Sequence, residues 1–148
     1  MTPTRDYVAE ARFKKAAVAE SLAIDEGLIS DLVETFYTRI REHELLGPIF
    51  DRHIASWPPH LARMKDFWSS IALESGRFRG NPMLKHIAIP GIDRAHFSAW
   101  LTLWDEVLAD VCPSSETAAF FADRAGRISE SLQLGIAYHR DGMPRRPA

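Results

Sequence analysis

The chain has one cysteine, Cys112, in 148 residues. A single thiol excludes an intrachain disulfide and any metal site built from cysteines. No apolar run approaches the roughly 18 residues of a membrane span, and the N-terminal stretch lacks the apolar core of a signal peptide. The cytoplasm is therefore the expected location, with no membrane partner. An excess of charge of one sign is missing too. Lys and Arg number 18 against 20 Asp and Glu, a formal net charge of −2, which gives no electrostatic case for nucleic acid or an anionic surface. There are no internal repeats and no low-complexity segment. No segment alternates apolar and polar residues with period two over a useful length, which leaves an all-α chain. What is present is the size of one domain with one core, with 46% hydrophobic and 26% charged residues, ordinary values for a globular protein.

Four segments carry a broad helical stripe. In the first, about Glu26 to Arg41, Asp25 is the N-cap and Ile24 and Ile29 occupy staple positions either side of it. Ile29, Leu32, Val33, Phe36, Tyr37 and Ile40 form one face. Tyr37 therefore points at the core, and its hydroxyl needs a partner. That partner is either a backbone carbonyl or a group in a pocket. In the second, about Pro59 to Glu74, His60, Met64, Phe67, Trp68 and Ile71 share a face, and Gly76 is expected to end the helix. His60 stands at the N-terminal end of that face, where a histidine is a rim or cap residue, or a ligand. In the third, about Arg94 to Ala109, Asp93 is the N-cap, Ile92 and Phe97 the staple, and Phe97, Trp100, Leu101, Trp104 and Leu108 the face. Trp104 reads as core; Trp100 reads as core or as an indole N–H aimed into a pocket. The last runs from Ser115 to about Arg140 on a stripe of Ala118, Phe121, Ala125, Ile128, Leu132 and Ile136, with Gly142 and Pro144 as stops.

The remaining stretches are weaker. Residues 3–21 are charged and alanine-rich, a loosely docked helix without chemistry. Residues 42–59 read as irregular, with a turn in Leu45-Leu46-Gly47-Pro48-Ile49-Phe50 and Phe50 as a pocket wall. Residues 75–92 read as a loose link, interrupted by the segment Gly80-Asn81-Pro82-Met83-Leu84-Lys85-His86-Ile87. Asn81 is a good N-cap and Pro82 fits the first helical position. So short a helix is not stable alone. It presents His86 either as a solvated turn histidine or as an axial metal or haem ligand. The links around the His60 helix are too long for a regular up-down bundle and suit helices wrapped around something that fills the middle.

Taken in order, these residues form a pattern: Phe36-Tyr37 followed by Arg39-Ile40-Arg41; Leu46-Gly47-Pro48-Ile49-Phe50; Trp57 with His60; Phe67-Trp68; Gly80-Asn81-Pro82 with His86; and His96-Phe97 followed by Trp100-Leu101. The pattern resembles the truncated haemoglobins, group III, over roughly Leu28 to Ile136. The glycine-pair motifs usual in the family are absent, as is typical of that group. The resemblance implies a two-over-two helical sandwich around haem b. It makes His86 the proximal iron ligand and Tyr37, His60 and Trp100 the distal residues that stabilise the bound ligand. Phe50 would pack on the haem face, and Phe36, Met64, Phe67, Trp68, Phe97 and Trp100 would line the cofactor. Lys85 and Arg63 would pair with the propionates. On this reading residues 1–22 are an extension, 23–142 the globin domain and 143–148 a disordered tail.

The implied function is binding of O2 and other diatomic ligands (NO, CO), in NO detoxification or related redox chemistry. The alternatives are a peroxidase-like haem enzyme and a non-haem all-α interaction module. The chain carries no flavin or nicotinamide fingerprint, so turnover would require an external electron-donor reductase.

Overall fold

The computed structural model describes residues 3–141, with side chains from Tyr7 onward. The expected tail at 143–148 and the stops at Gly142 and Pro144 lie outside the described residues. Seven helices follow in order: α1 Pro3–Ser21, α2 Glu26–Glu42, α3 Gly47–His53, α4 Trp57–Leu73, α5 Pro82–Ile87, α6 Arg94–Val111 and α7 Ser115–Asp141. Among the described residues there is no strand, and no helix is long and apolar enough to cross a membrane.

Helix α2 packs on α4 and α6, and α6 packs on α7, so the pair α2 and α4 meets the pair α6 and α7 through α2 and α6. The seam is the stripe expected of α2: Ile29, Leu32, Val33, Phe36 and Ile40 are essentially sealed from solvent. The aromatic centre stacks in series. Trp104 lies parallel to Trp68 at 4.8 Å between centroids and to Trp100 at 6.2 Å, while Phe36 meets Trp104 edge-on at 5.0 Å. The Trp104 indole N–H donates to the Phe121 carbonyl at 3.3 Å, which satisfies its only polar group.

Both N-caps form as the residues dictate. The Asp25 carboxylate accepts from Leu28 N at 2.8 Å, and Asp93 accepts from Ala95 N at 3.0 Å, with His96 Nδ1 taking the Asp93 N–H in return. Two expectations about helix bounds are overturned. Residues 42–59 are not irregular throughout, because Gly47–His53 is a helix. Pro48 sits in its first turn, where a missing N–H costs nothing. Gly47 is required by proximity rather than by a turn: a Cβ there would stand 2.9 Å from the Arg41 carbonyl oxygen. The His60 helix also ends at Leu73 without Gly76. Glu74 takes the left-handed cap conformation (φ 55°), and Gly76 adopts positive φ only two residues later.

The link after α4 is pinned rather than loose. The Arg77 guanidinium donates to Glu26 at 2.7 Å, to Asp66 at 3.1 Å and to the buried Ser69 hydroxyl at 2.9 Å. Phe78 N donates to Ser70 Oγ at 3.0 Å, and its ring lies edge-on to Phe67 at 5.1 Å. Helix α1 docks on α4, with Ala19 buried and Lys15 paired to Glu74 at 2.6 Å, while Tyr7 and Phe13 face outward. Helix α5 packs on α7. Its residues Met83 and Ile87, with Ile89 beyond it, belong to a second small core around Ile92, Phe97, Leu132 and Ile136, separate from the main one.

Candidate functional site

The α2–α3 corner and the start of α4 bring four side chains together. Tyr37 meets His60 edge-to-face at 4.9 Å, Phe50 at 5.8 Å and Trp57 at 5.9 Å. Trp57 in turn meets His60 at 5.8 Å and carries the Arg41 guanidinium over its outer face at 4.6 Å. Trp57 enters α4 early because Pro58 and Pro59 are both tolerated in a first turn.

Burial sets the electrostatics of this group. It pushes the Tyr37 hydroxyl well above the ordinary phenol range, so the hydroxyl remains a protonated donor. Among the described residues that hydroxyl has no hydrogen-bond acceptor. Burial, helped by the positive charge of Arg63 one turn on, lowers the His60 imidazole to about 4, so it is neutral near pH 7. His60 Nε2 is buried without any hydrogen-bond partner. An orphaned buried nitrogen is rare enough to call for a missing partner.

The second histidine is prepared differently. On α5 the Asn81 side chain accepts from Leu84 N at 3.1 Å and starts the helix. His86 Nδ1 lies 2.6 Å from the Pro82 carbonyl oxygen. A carbonyl can only accept, so Nδ1 carries a proton, and in the neutral ring it is Nε2 that keeps the lone pair. That is the tautomer a metal-ligating imidazole needs, with its orientation fixed from behind. Phe97 of α6 stands beside the His86 ring at 6.3 Å.

Helix α6 connects the two histidine neighbourhoods. Trp100 follows Phe97 by three residues, about 4.5 Å along the axis. It is half-buried and meets Phe36 edge-on at 5.6 Å, and Phe36 meets Tyr37 at 5.2 Å. One turn of α6 thus separates the ring beside His86 from the indole next to the Tyr37 group. The other expected lining residues divide. Met64 and Phe67 are half-buried on the core-facing side of α4, whereas Trp68 is enclosed between Trp104 and Phe121 as a core residue. Lys85 and Arg63 lie at the surface next to their respective histidines. Among the described residues no cluster of three or more His, Cys, Asp or Glu could cage a bare metal ion. The donor set fits an iron porphyrin: one oriented imidazole lone pair, a separate group of buried donors and aromatic walls. A shallow cleft lined by His43 and by Ala95, Ser98 and Thr102 of α6 shares no residue with this site.

Sequence reasoning saw Trp57 only as part of a motif, because its contacts with Tyr37 and Phe50 join separate helices.

No family model matches the chain. It is 32% identical over 114 residues to the group 3 truncated hemoglobin ctb of Campylobacter jejuni, covering 74% of this chain and 89% of that protein. It is 31% identical over 107 residues to the group 2 truncated hemoglobin YjbI of Bacillus subtilis, covering 69% and 78%. The crystal structure of the group III truncated hemoglobin from Campylobacter jejuni superposes with a TM-score of 0.72 at 32% identity, covering 76% of this chain and 91% of that one. With these similarities, and with the helical sandwich and paired histidine sites described above, the chain belongs to the truncated haemoglobin family, in its group III.

Proposed function

We propose that this chain binds haem b through His86 Nε2 and holds O2 or another diatomic ligand beside Tyr37, His60 and Trp100, in NO detoxification. The observation that carries the reading is the His86–Pro82 hydrogen bond of 2.6 Å, which occupies Nδ1 and leaves Nε2 as the nitrogen aimed away from the backbone, free to ligate. The orphaned His60 Nε2 and the unpartnered Tyr37 hydroxyl supply the other half. Both stand among aromatic walls, and the His60 nitrogen is buried without a partner of its own.

When bound, ferrous haem supplies the ligand position and one electron, so that O2, NO and that electron balance as nitrate and the iron is left ferric. The protein contributes placement. The Tyr37 hydroxyl and Trp100 indole N–H donate to the ligand. Such bonds to a charge-bearing acceptor contribute roughly 1.5–3 kcal/mol each. Neutral His60 adds a donor or acceptor according to its tautomer, and Phe50 and Trp57 exclude water from its outer side. Sustained turnover draws on an external reductase as electron donor, and the cytoplasm is where such a partner is supplied.

Absorption spectra of the purified protein test this directly. The ferric, ferrous and CO-bound forms give a Soret band that shifts with each state. A folded protein that stays colourless after addition of haemin overturns the reading.

A further inference from the structure

The geometry points to Met83, Gly135 and Arg140 as positioning residues for His86, which fix the proximal imidazole by locking α5 and its exit onto the end of α7. This rests on the reading of His86 as the iron ligand. Helix α5 has only six residues, too few to hold itself, and His86 takes its orientation from the first turn of that helix through Pro82 O. Whatever seats α5 therefore aims the imidazole.

The structure shows two fastenings, both to α7. The first is a knob in a hole without a side chain. A Cβ added at Gly135 would stand 2.2 Å from Met83 Sδ and 2.4 Å from its Cε. Met83 thus lies directly on the backbone of α7, in a position that any side chain at 135 would occupy. Gly135 sits mid-helix, where glycine costs about 0.5–1 kcal/mol relative to alanine. The close approach of Met83 is a physical reason for that residue. The second fastening is Arg140, one and a half turns further on. Its guanidinium donates to the Ile92 carbonyl oxygen and, through the other terminal nitrogen, to the Ile89 carbonyl oxygen at 3.3 Å. These are backbone acceptors of the chain leaving α5, and a planar fork holds two of them at a fixed separation. Met83 holds the entrance of α5 and Arg140 its exit. His86 stands between them, on the side where Phe97 packs.

A residue that merely adds stability would change melting and leave the iron–histidine bond as it was. A positioning residue changes that bond. The test uses haem-reconstituted full-length protein and reads the ferrous iron–histidine stretch by resonance Raman, together with haem transfer to an excess acceptor globin. Gly135→Ala, whose added methyl displaces the Met83 thioether, is expected to shift or broaden the stretch; Arg140→Ala is expected to do the same and to release haem at least about fivefold faster, the equivalent of one ordinary hydrogen bond. Met83→Ala is expected to shift the stretch as well, and the Met83→Ala/Gly135→Ala double variant is expected to shift it no further than Met83→Ala alone, a coupling that independent sites would not show. Arg140→Lys, which keeps a donor without the fork, is expected to fall between wild type and Arg140→Ala. A stretch unchanged in both single variants overturns the inference, as does a Met83→Ala/Gly135→Ala double variant whose shift is the sum of the two single shifts. His86→Ala serves as the control. If it leaves the wild-type stretch intact, the assignment of the ligand fails and this inference falls with it. If it abolishes the stretch, the ligand stands and the α7 variants decide.

Discussion

The Tyr37 and His60 rings meet edge-to-face, 4.9 Å between centroids and at 89°, so that the phenol presses on the imidazole it shares a site with. The His60 Nε2 atom is buried without a protein partner, and Tyr37 beside it is buried with its hydroxyl kept protonated. The pair is thus a set of two donors or acceptors prepared for a third molecule.

Removing the phenol hydroxyl alone tests that preparation. Tyr37→Phe is expected to speed O2 dissociation by about tenfold or more, the equivalent of one hydrogen bond to a charge-bearing acceptor. Trp100→Phe is expected to act in the same direction. The double variant is expected to differ from the sum, because both donors would address one ligand. Stopped-flow ligand displacement measures all three. Single variants within about twofold of wild type, a difference of about 0.4 kcal/mol, would return both residues to plain core packing.

The pH dependence of His60 has a definite sign. Its folded value near 4 lies below the ordinary 6.5, so between those values the unfolded chain holds the proton more tightly. The stability that goes with the neutral ring is complete above about pH 6.5 and is lost as pH falls toward 4. His60→Leu is expected to flatten this part of the stability profile, measured by urea unfolding at pH 7 and pH 5. An unchanged slope between those values would show that the ring titrates normally.

Gly47→Ala is expected to destabilise the protein by about 1–3 kcal/mol, as overpacking does. The obstruction is the Arg41 backbone carbonyl at 2.9 Å, which cannot rotate away as a side chain would. Thermal melting of the variant reads the cost. A melting temperature equal to wild type would mean that α3 shifts freely and does not fix Phe50.

The Arg77 network predicts where the chain loosens. Arg77→Ala removes the contacts to Glu26, Asp66 and Ser69 together. Amide exchange is expected to rise across residues 74–81 and at the start of α2, with the middle of α6 unaffected. Exchange confined to position 77 itself would show that the link is held by Phe78 on Phe67 instead.

Catalysis gives the last expectation. The oxygenated protein mixed with NO is expected to yield nitrate and ferric protein one-to-one, then stop until an external reductant is supplied. Oxidation no faster than spontaneous decay would favour the peroxidase-like alternative.

Much of this was legible before any coordinates, and the reason is periodicity. The α2 stripe from Ile29 to Ile40, the Asp25 and Asp93 caps and the Asn81-Pro82 start are local signals, and each appears where its residue type demands. The placement of Tyr37 on the buried face followed from the same stripe. Helix α3 was not legible, because Gly47-Pro48 signals a turn unless one knows that the Arg41 carbonyl lies against it. Trp68 could not be told from a cofactor-lining residue, since its stacking on Trp104 is a contact between separate helices. The seat of His86 was hidden for the same reason: Met83 and Gly135 are 52 positions apart, and neither residue type announces a contact.

The division into two cores has a consequence for how the molecule lives without its cofactor. Helices α6 and α7 contribute to both cores, whereas α5 contributes only to the small one around Ile92, Phe97, Leu132 and Ile136. A segment backed by few buried apolar groups opens at a fraction of the free energy of global unfolding. In the haem-free chain α5 is expected to exchange its amides before the tryptophan stack does, tied to the body only by Met83 on α7 and by the Arg140 fork beyond it. An iron bond to His86 would add a tie that α5 otherwise lacks, so that filling the site and steadying this segment would be one linked event.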